Sequence, residues 1–310
     1  MKRTLLTISL CVLLLIAKAQ ERSLTLEAKR NDNKSIDFNF IKTDPGTYTV
    51  VVKFASLSNA MDPGSSFTAN DYNGRLFNLT PSNKEQGVGY GSYTTFYIRG
   101  KLNPKYNPGL IYLLPYKNEA KVQVAESGFL GAAYFGKTAP EDWKSYRFYT
   151  AEQDTVTAIR KGLVVEVKDL YEAGGEDVSY TSRTNELIIE HPDGTLATYK
   201  GFKKGSFAVK VGQTVFPGTS LGLNSKYDRN GKYNVSIMIT YLKSVDVDKT
   251  DNSSTKSKSY YGFITPHFMT ADNADEVLVA QKVYMAGSTA EVVQKEMTKR
   301  ELKLLSKPKK

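Results

Sequence analysis

The chain has 310 residues, of which 40% are hydrophobic, and its formal net charge at pH 7 is +10. A chain of this length and apolar content can bury a core and suggests two domains. The excess positive charge lies mainly near the N-terminus and in the tail 295–310, which has seven basic and two acidic residues. The nearly neutral body between them argues against a nucleic-acid surface, and we expect no nucleic-acid partner.

Residues 1–19 have the pattern of a secretory signal peptide. A basic start precedes an apolar run from Leu5 to Ile16, and the A-K-A sequence at 17–19 is typical of a cleavage site. The run is too short for a stable transmembrane helix, so we expect none after cleavage; an uncleaved anchor is the alternative. Cys11 is the only cysteine, so the mature chain has no thiolate zinc ligand. These features predict an exported bacterial envelope protein, periplasmic or secreted.

Residues 20–127 are predicted to form an N-terminal β-sandwich-like domain. Short runs rich in β-branched and aromatic residues are separated by Pro, Gly and Asn turn signals. Several short strands at this spacing favour a small sandwich. A linker is predicted at 128–142, where glycine and alanine are frequent. The clearest predicted strands are IDFNF, YTVVVKF, TTFYIRG, LIYLLPY and AKVQVAE.

Residues 143–285 contain longer alternating runs and are predicted to form a second β domain, with a mobile polar loop at 244–259. In the tail 286–310, Ser288 and Glu291 have the spacing of a capping box, which predicts a short helix running toward Leu305. We expect the basic tail to be solvated; contact with anionic wall polymer or lipid is the alternative. The predicted strands are GLVVEVKDL, NELIIEH, TLATYKGF, FAVKVG, YNVSIMITYL, YYGFITPHF and VLVAQKVYM.

An ordered series of motifs in the second half resembles the LytM/lysostaphin-type zinc metallopeptidases, which cut peptide bonds in bacterial cell walls. The resemblance implies a duplicated hybrid motif, a β-barrel-like all-β domain, and says nothing about 20–127. The whole chain is thus predicted to be all-β, with a short C-terminal helix. The motifs are Val156-x-Ala158, Gly162-x-Val164, Asn185, Ile189-Glu190-His191-x-Asp193-Gly194-Thr195-x-Ala197-x-Tyr199, Lys203-Lys204-Gly205-Ser206 and Val211-Gly212-x-x-Val215-x-x-Gly218-x-x-x-Gly222.

The residues with which this family binds zinc and transfers protons are missing. By resemblance, the histidine and aspartate ligands fall on Trp143 and Arg147, and an assisting histidine falls on Gly201. The H-x-H pair falls on Asn234 and Ser236. A guanidinium stays protonated and cannot ligate zinc. The resemblance therefore implies a catalytically degenerate member, and we expect no enzyme activity, no zinc and no other cofactor.

The groove of such a degenerate domain remains a candidate binding surface. Tyrosine side chains can grip peptides or sugars, although half-buried strand positions are their more ordinary role. His191 is predicted to be a turn residue with local hydrogen bonds rather than a metal ligand, in a hairpin turn whose positive φ falls on Gly194. The candidate groove residues are Tyr146, Arg147, Tyr149, Tyr199, Asn234 and Ser236.

The sequence thus predicts a non-catalytic, peptidase-like envelope protein that binds peptidoglycan peptide or an envelope protein, as a scaffold or regulator of wall remodelling. Two alternatives stay open. One is an active peptidoglycan metallo-endopeptidase or hydrolase with non-standard site residues, and the other is a purely structural envelope protein. Fragments released from peptidoglycan would distinguish the first alternative, and binding by the N-terminal domain alone would distinguish the second.

Overall fold

The computed structural model describes the protein over five ranges, within which it is all-β apart from two short helices near the C-terminus. The predicted signal peptide lies outside the described residues, as do most of the predicted linker and of the loop at 244–259. None of the described helices has the length and apolar character needed to cross a membrane. The described ranges are 23–129, 138–172, 184–227, 231–245 and 259–305.

The N-terminal unit contains two small antiparallel sheets, β1-β2-β6 and β5-β3-β8, with a ribbon of β4 and β7 beside them. Side chains of both sheets share one aromatic core, as a sandwich requires: Phe38 of β2 stacks on Phe77 at 4.6 Å and meets Phe54 of β3 edge-on at 5.5 Å. The strands are β1 (Leu24–Arg30), β2 (Ile36–Lys42), β3 (Tyr48–Phe54), β4 (Leu57–Ser58), β5 (Ser66–Ala69), β6 (Asn73–Leu79), β7 (Gly89–Tyr90) and β8 (Tyr93–Arg99).

The second unit is built on a nine-stranded main sheet of order β16-β13-β14-β15-β18-β11-β10-β21, with β19 also paired to β18. β12 pairs with β17, and β20 pairs in parallel with β9. The strands are β9 (Ile111–Leu113), β10 (Lys121–Glu126), β11 (Tyr146–Thr150), β12 (Thr155–Thr157), β13 (Gly162–Lys168), β14 (Asn185–Glu190), β15 (Leu196–Phe202), β16 (Thr214–Val215), β17 (Ser220–Leu223), β18 (Tyr233–Leu242), β19 (Tyr261–Ile264), β20 (His267–Met269) and β21 (Val283–Met285).

The predicted all-β class is confirmed, but the described strands do not close into the barrel that the resemblance implies. The main sheet ends at β16 on one side and at β21 on the other. Several predicted strands also differ from the structure, among them YYGFITPHF, which forms two strands, β19 and β20. FAVKVG forms no strand, and its Val209 is buried in a loop instead. Of VLVAQKVYM, only Val283–Met285 forms a strand.

The boundary between the two units lies between Arg99 and Leu110 rather than at 127. The run AKVQVAE, assigned to the N-terminal domain by prediction, forms β10 and pairs with β11 and β21. Its side chains Val122 and Val124 are fully buried in the core of the second unit, which begins at Leu110. The predicted boundary was wrong because the pairing partners of β10 come from much later in the chain.

Contacts between the units are both polar and apolar. The carboxylate of Glu190, at the end of β14, accepts hydrogen bonds from the main-chain nitrogen of Thr47 at 2.7 Å and from its hydroxyl at 2.5 Å. Val51 of β3 belongs to a small buried cluster with Leu242 of β18 and Val245. The N-terminal unit is therefore attached to the second unit at the ends of β14 and β18.

The predicted C-terminal helix is two helices, α1 (Ala290–Gln294) and α2 (Lys299–Leu305). The side chain of Thr289, rather than Ser288, caps α1 by accepting a hydrogen bond from the main-chain nitrogen of Val292. The reciprocal capping box is formed by Thr298 and Glu301: the Glu301 carboxylate accepts from the Thr298 nitrogen at 2.6 Å, and the Thr298 hydroxyl accepts from the Glu301 nitrogen at 3.3 Å.

The described part of the tail is docked on the second unit through its acidic residues, whereas its basic residues Lys295, Lys299, Arg300 and Lys303 are exposed. The guanidinium of Arg160 is 5% exposed and binds Glu296 through two hydrogen bonds, of 2.8 and 2.7 Å. Arg160 also pairs with Asp193 at 2.8 Å. Lys161 pairs with Glu301 at 2.8 Å and lowers the pKa of that carboxyl to about 2. Residues 306–310 lie outside the described residues.

Candidate functional site

The predicted site residues lie mainly on two neighbouring strands of the main sheet, β11 and β18. Arg147 lies opposite Ser236 and Tyr149 lies opposite Asn234 in the antiparallel register. Directly opposed residues of an antiparallel pair share a face of the sheet. We call the face that carries these four side chains the polar face; successive residues of a strand point to opposite sides, so Tyr146 faces the core.

Tyr146 and Tyr199 do not line the polar face, contrary to prediction. Tyr146 is 1% exposed and its hydroxyl donates to the carbonyl of Leu278 at 3.1 Å. Tyr199 is fully buried, and its hydroxyl accepts from the main-chain nitrogen of Ile159 at 3.0 Å. Burial raises the pKa of both phenols. Both residues are part of the core, and a ligand on the polar face does not reach them.

Gly201, where the resemblance places an assisting histidine, is closely packed against other residues. Its φ is +107°, and a Cβ built on it would overlap the ring of Tyr227 and lie 3.0 Å from the main-chain oxygen of Asn234. The carbonyl of Gly201 accepts hydrogen bonds from the main-chain nitrogen and the hydroxyl of Ser225, both at 2.9 Å. These bonds anchor the segment that carries Tyr227, so the ring occupies the space that a side chain at 201 would need.

Arg147 also contacts Tyr227. Its guanidinium carbon lies 5.5 Å from the ring centroid of Tyr227, within the range of a cation–π contact. Its Nη1 atom donates to the hydroxyl of Tyr149 at 3.4 Å. The structure thus brings together four of the predicted positions, at Arg147, Gly201, Asn234 and Ser236. Tyr227, which links them, has no signal in the motif spacing and was missed by sequence reasoning.

The side chains of Asn234 and Ser236 on this face are neutral. Asn234 is fully buried, and its Nδ2 atom donates to the carbonyl of Lys232 at 2.8 Å. Its Oδ1 atom is buried and accepts no hydrogen bond within the described part of the chain. Ser236 is 8% exposed. An amide and a hydroxyl can hold a polar ligand, but neither replaces the histidine pair that zinc chemistry needs.

Trp143 has its contacts elsewhere. Its indole nitrogen donates to the carbonyl of Ser127 at 2.8 Å, and its ring packs against Phe129 at 5.0 Å and Phe263 at 4.7 Å. These contacts hold together the junction between β10 and β11. Trp143 therefore has a packing role, and the structure does not bring it to Tyr227. Among the described residues, no three His, Cys, Asp or Glu side chains are grouped so that they could hold a metal ion.

His191 lies in the predicted hairpin turn, where its nitrogen donates to the carbonyl of Thr195 at 2.8 Å and Gly194 has a φ of +89°. Its side chain, however, is not bonded locally. The ring is 2% exposed, and Nδ1 donates to the carbonyl of Lys161 at 2.7 Å. Burial, aided by the positive charge of Arg160, lowers the pKa of His191 to about 3. His191 is therefore neutral near pH 7 and belongs to the core.

Beside Tyr149, the end of β11 borders a cleft of about 370 Å³, which we call the basic cleft. Three lysines line it, and none of its described lining residues is acidic. The ammonium group of Lys226 lies 4.8 Å from the ring centroid of Tyr233. The lining residues are Lys121, Gln123, Tyr149, Thr150, Ala151, Lys226, Gly231, Lys232, Tyr233 and Val283.

Comparison with known proteins gives only distant similarities. No protein-family model and no curated protein matches the sequence. One similar solved structure is the SpoIIQ–SpoIIIAH pore-forming complex, with 15% identity over 43% of this chain and 85% of that chain and a TM-score of 0.28. Another is a zinc-containing peptidase from Vibrio cholerae, with 12% identity over 70% and 75% of the two chains and a TM-score of 0.27. Scores this low do not establish a shared fold.

Proposed function

We propose that this protein is a non-catalytic binding protein of the bacterial envelope, which holds a cell-wall peptide or a partner protein on the polar face. The observation that carries the proposal is the stacking of Arg147 on Tyr227 at 5.5 Å, with the Tyr227 ring in the space beside Gly201. A zinc peptidase needs three protein ligands and an open position for water. A permanent cation and a filled space do not fit that requirement.

The same residues have the chemistry of recognition. A guanidinium donates hydrogen bonds in a fork that matches a carboxylate, a group that peptides carry at their C-terminus and on acidic side chains. Contact with the face of Tyr227 and a hydrogen bond to Tyr149 hold the Arg147 side chain in place. A cation held in advance loses less conformational freedom when it binds. The signal-peptide pattern of residues 1–19 supports a location in the envelope, periplasmic or secreted.

The absence of catalysis is tested with the mature chain, residues 20–310, incubated with purified peptidoglycan with and without added zinc. We expect no released fragments and a zinc content well below one ion per chain. Fragment release together with stoichiometric zinc would show that the protein is an active metallo-endopeptidase. Fragment release and zinc content are measured on the same preparation after zinc has been added. A low zinc content then indicates a lack of ligands rather than loss of metal during purification.

Binding is tested by sedimenting the mature chain with peptidoglycan sacculi. Arg147→Ala removes the guanidinium, so we expect about a fivefold loss of affinity, measured from the bound fraction over a series of sacculus concentrations, in line with about 1 kcal/mol for one charge-assisted contact. Arg75→Ala is the matched control, because Arg75 is a 63% exposed arginine of the N-terminal unit. Equal sedimentation of wild type and Arg147→Ala would contradict a role of the polar face in holding wall peptide.

A further inference from the structure

The residues of the polar face do not by themselves determine which chemical group of a ligand is bound. We infer that the basic cleft binds the carboxylate groups of an acidic peptide segment. This inference rests on the proposed function and names the ligand class for the same region of the molecule. It depends on the charges that converge on the cleft, on the character of its walls and on its connection to Arg147.

The charged side chains among the described lining residues of the basic cleft are all lysines. Lys121 comes from β10, whereas Lys226 and Lys232 come from the chain just before β18, so separate parts of the sequence bring cations to one concavity. None of the three lysines pairs with a carboxylate of the described residues. Outside its two ends the chain is nearly neutral, so this clustering is not a consequence of overall composition. Like charges held close together repel one another, and a bound anion relieves that repulsion.

The walls of the cleft suit a peptide rather than a bare ion. Tyr149 and Tyr233 supply flat apolar faces with a polar tip, and Val283 is 57% exposed at the rim. Gln123 adds an amide that can donate and accept hydrogen bonds with a peptide backbone. The volume, about 370 Å³, is near the lower end of the range for ligand pockets, roughly 300–1,000 Å³, and therefore suits a short segment with a few side chains.

The cleft and the polar face are connected through Tyr149. Its ring lines the cleft, and its hydroxyl accepts a hydrogen bond from Arg147 at 3.4 Å. A segment seated in the cleft would thus lie next to the pair formed by Arg147 and Tyr149. A phosphate site is more often built from main-chain nitrogens at a helix N-terminus or from arginine forks. Neither is among the described lining residues, so the carboxylates of a peptide are the better match.

The test uses fluorescence anisotropy with the mature chain and two labelled hexapeptides, one with three glutamates and the other with three glutamines at the same positions. We expect the acidic peptide to bind more tightly. The variant Lys121→Gln/Lys226→Gln/Lys232→Gln should weaken its binding about tenfold, the combined effect of three exposed charge pairs. The control Lys29→Gln/Lys84→Gln/Lys105→Gln changes the net charge equally at exposed lysines outside the cleft and should bind within twofold of wild type.

Each outcome decides a different point. Equal affinity of wild type for the two peptides, or equal weakening by the two triple variants, overturns the inference, while the sacculus assay with Arg147→Ala still judges the proposed function. Displacement of the acidic peptide by inorganic polyphosphate at far lower concentration than by free glutamate peptide would assign the cleft to a phosphate polymer and also overturn it. If neither peptide binds, the inference fails, and sedimentation of the same preparation with sacculi shows whether the proposed function fails with it.

Discussion

At the residue scale, Gly201 determines what the polar face can hold. Its φ of +107° is costly for any residue with a Cβ, and the ring of Tyr227 occupies the space beside it. A histidine placed at 201 would therefore not point into an open groove, because it would first have to displace Tyr227 and with it the contact to Arg147. The filled space beside Gly201 is part of the surrounding packing, so a single substitution to histidine at this position does not open a groove.

The variant Gly201→Ala tests this packing. We expect it to lower the free energy of unfolding by about 1–3 kcal/mol more than Gly218→Ala does, because overpacking adds to backbone strain. Gly218 is the matched control: its φ is +82°, and a Cβ built there meets nothing within 4 Å. Urea denaturation of both variants measures the difference. Equal losses of stability would mean that the Tyr227 ring moves aside without cost.

A second residue-scale prediction concerns His191, whose pKa is lowered to about 3 by burial and by the charge of Arg160. Between pH 6.5 and 3, the unfolded chain binds a proton at this ring and the folded chain does not. Its contribution to stability is therefore complete above pH 6.5 and is lost as the pH falls toward 3, at up to about 1.4 kcal/mol per pH unit.

Urea denaturation at pH 7, 6, 5 and 4 should show a smaller loss of stability with acidification in His191→Gln than in wild type. The glutamine side chain can still donate to the carbonyl of Lys161 but does not titrate. Protonation of carboxylates affects both proteins, so the difference between the two slopes is the readout. Parallel pH profiles would contradict a neutral, buried His191.

At the element scale, the C-terminal helices act as a docked segment of the second unit. Glu296 lies just beyond α1 and neutralises Arg160, whose guanidinium is 5% exposed. Removal of one partner from a buried ion pair is costly because it leaves a charge without compensation. Asp193 still faces Arg160 at 2.8 Å and reduces that cost.

We expect Glu296→Gln to destabilise the protein by about 1–3 kcal/mol and to increase hydrogen exchange across 288–305. Glu291→Gln is the control, because Glu291 is an exposed carboxylate within α1 and makes no salt bridge with a described residue. Hydrogen exchange followed by mass spectrometry compares the two variants with wild type. Unchanged exchange in Glu296→Gln would show that the other contacts of the segment, among them the pair of Lys161 and Glu301, are sufficient to hold it.

The sequence predicts the local features of this fold well and the distant contacts poorly. Strands such as β3 and β18 and the turn at Gly194 follow from side-chain alternation and turn chemistry, which depend on near neighbours. The membership of β10 in the main sheet depends on partners far along the chain. The register of β11 and β18 brings most of the predicted site together, but the insertion of Tyr227 beside Gly201 is a packing result with no sequence pattern.

At the scale of the whole molecule, the unit boundary between Arg99 and Leu110 predicts which fragments fold. A fragment of residues 20–100 contains all the strands of the two N-terminal sheets. A fragment of residues 20–127 adds β9 and β10 without their partners β20, β11 and β21. Strands without their partners expose unpaired backbone groups, and Val122 and Val124, which are buried in the whole protein, also become exposed. Both effects favour aggregation.

We therefore expect residues 20–100 to be monomeric and folded, and residues 20–127 to aggregate or to contain an unfolded C-terminal part. Size-exclusion chromatography and the dispersion of amide NMR signals compare the two fragments. A monomeric 20–127 fragment whose amides at 121–126 resist hydrogen exchange would show that β10 does not depend on the second unit. The fragment 101–310 serves as the complementary control.

The pairing of β10 with β21 also sets an order of events during synthesis. Arg160 and Glu296 are 136 residues apart, and the hydrogen bond between Tyr146 and Leu278 spans 132 residues. Contacts at such separation form slowly and only after both ends exist. The N-terminal sheets can assemble as soon as residue 99 has emerged, whereas the main sheet gains its last strand only when residues 283–285 have emerged. The main sheet of the second unit is therefore completed only near the end of translation.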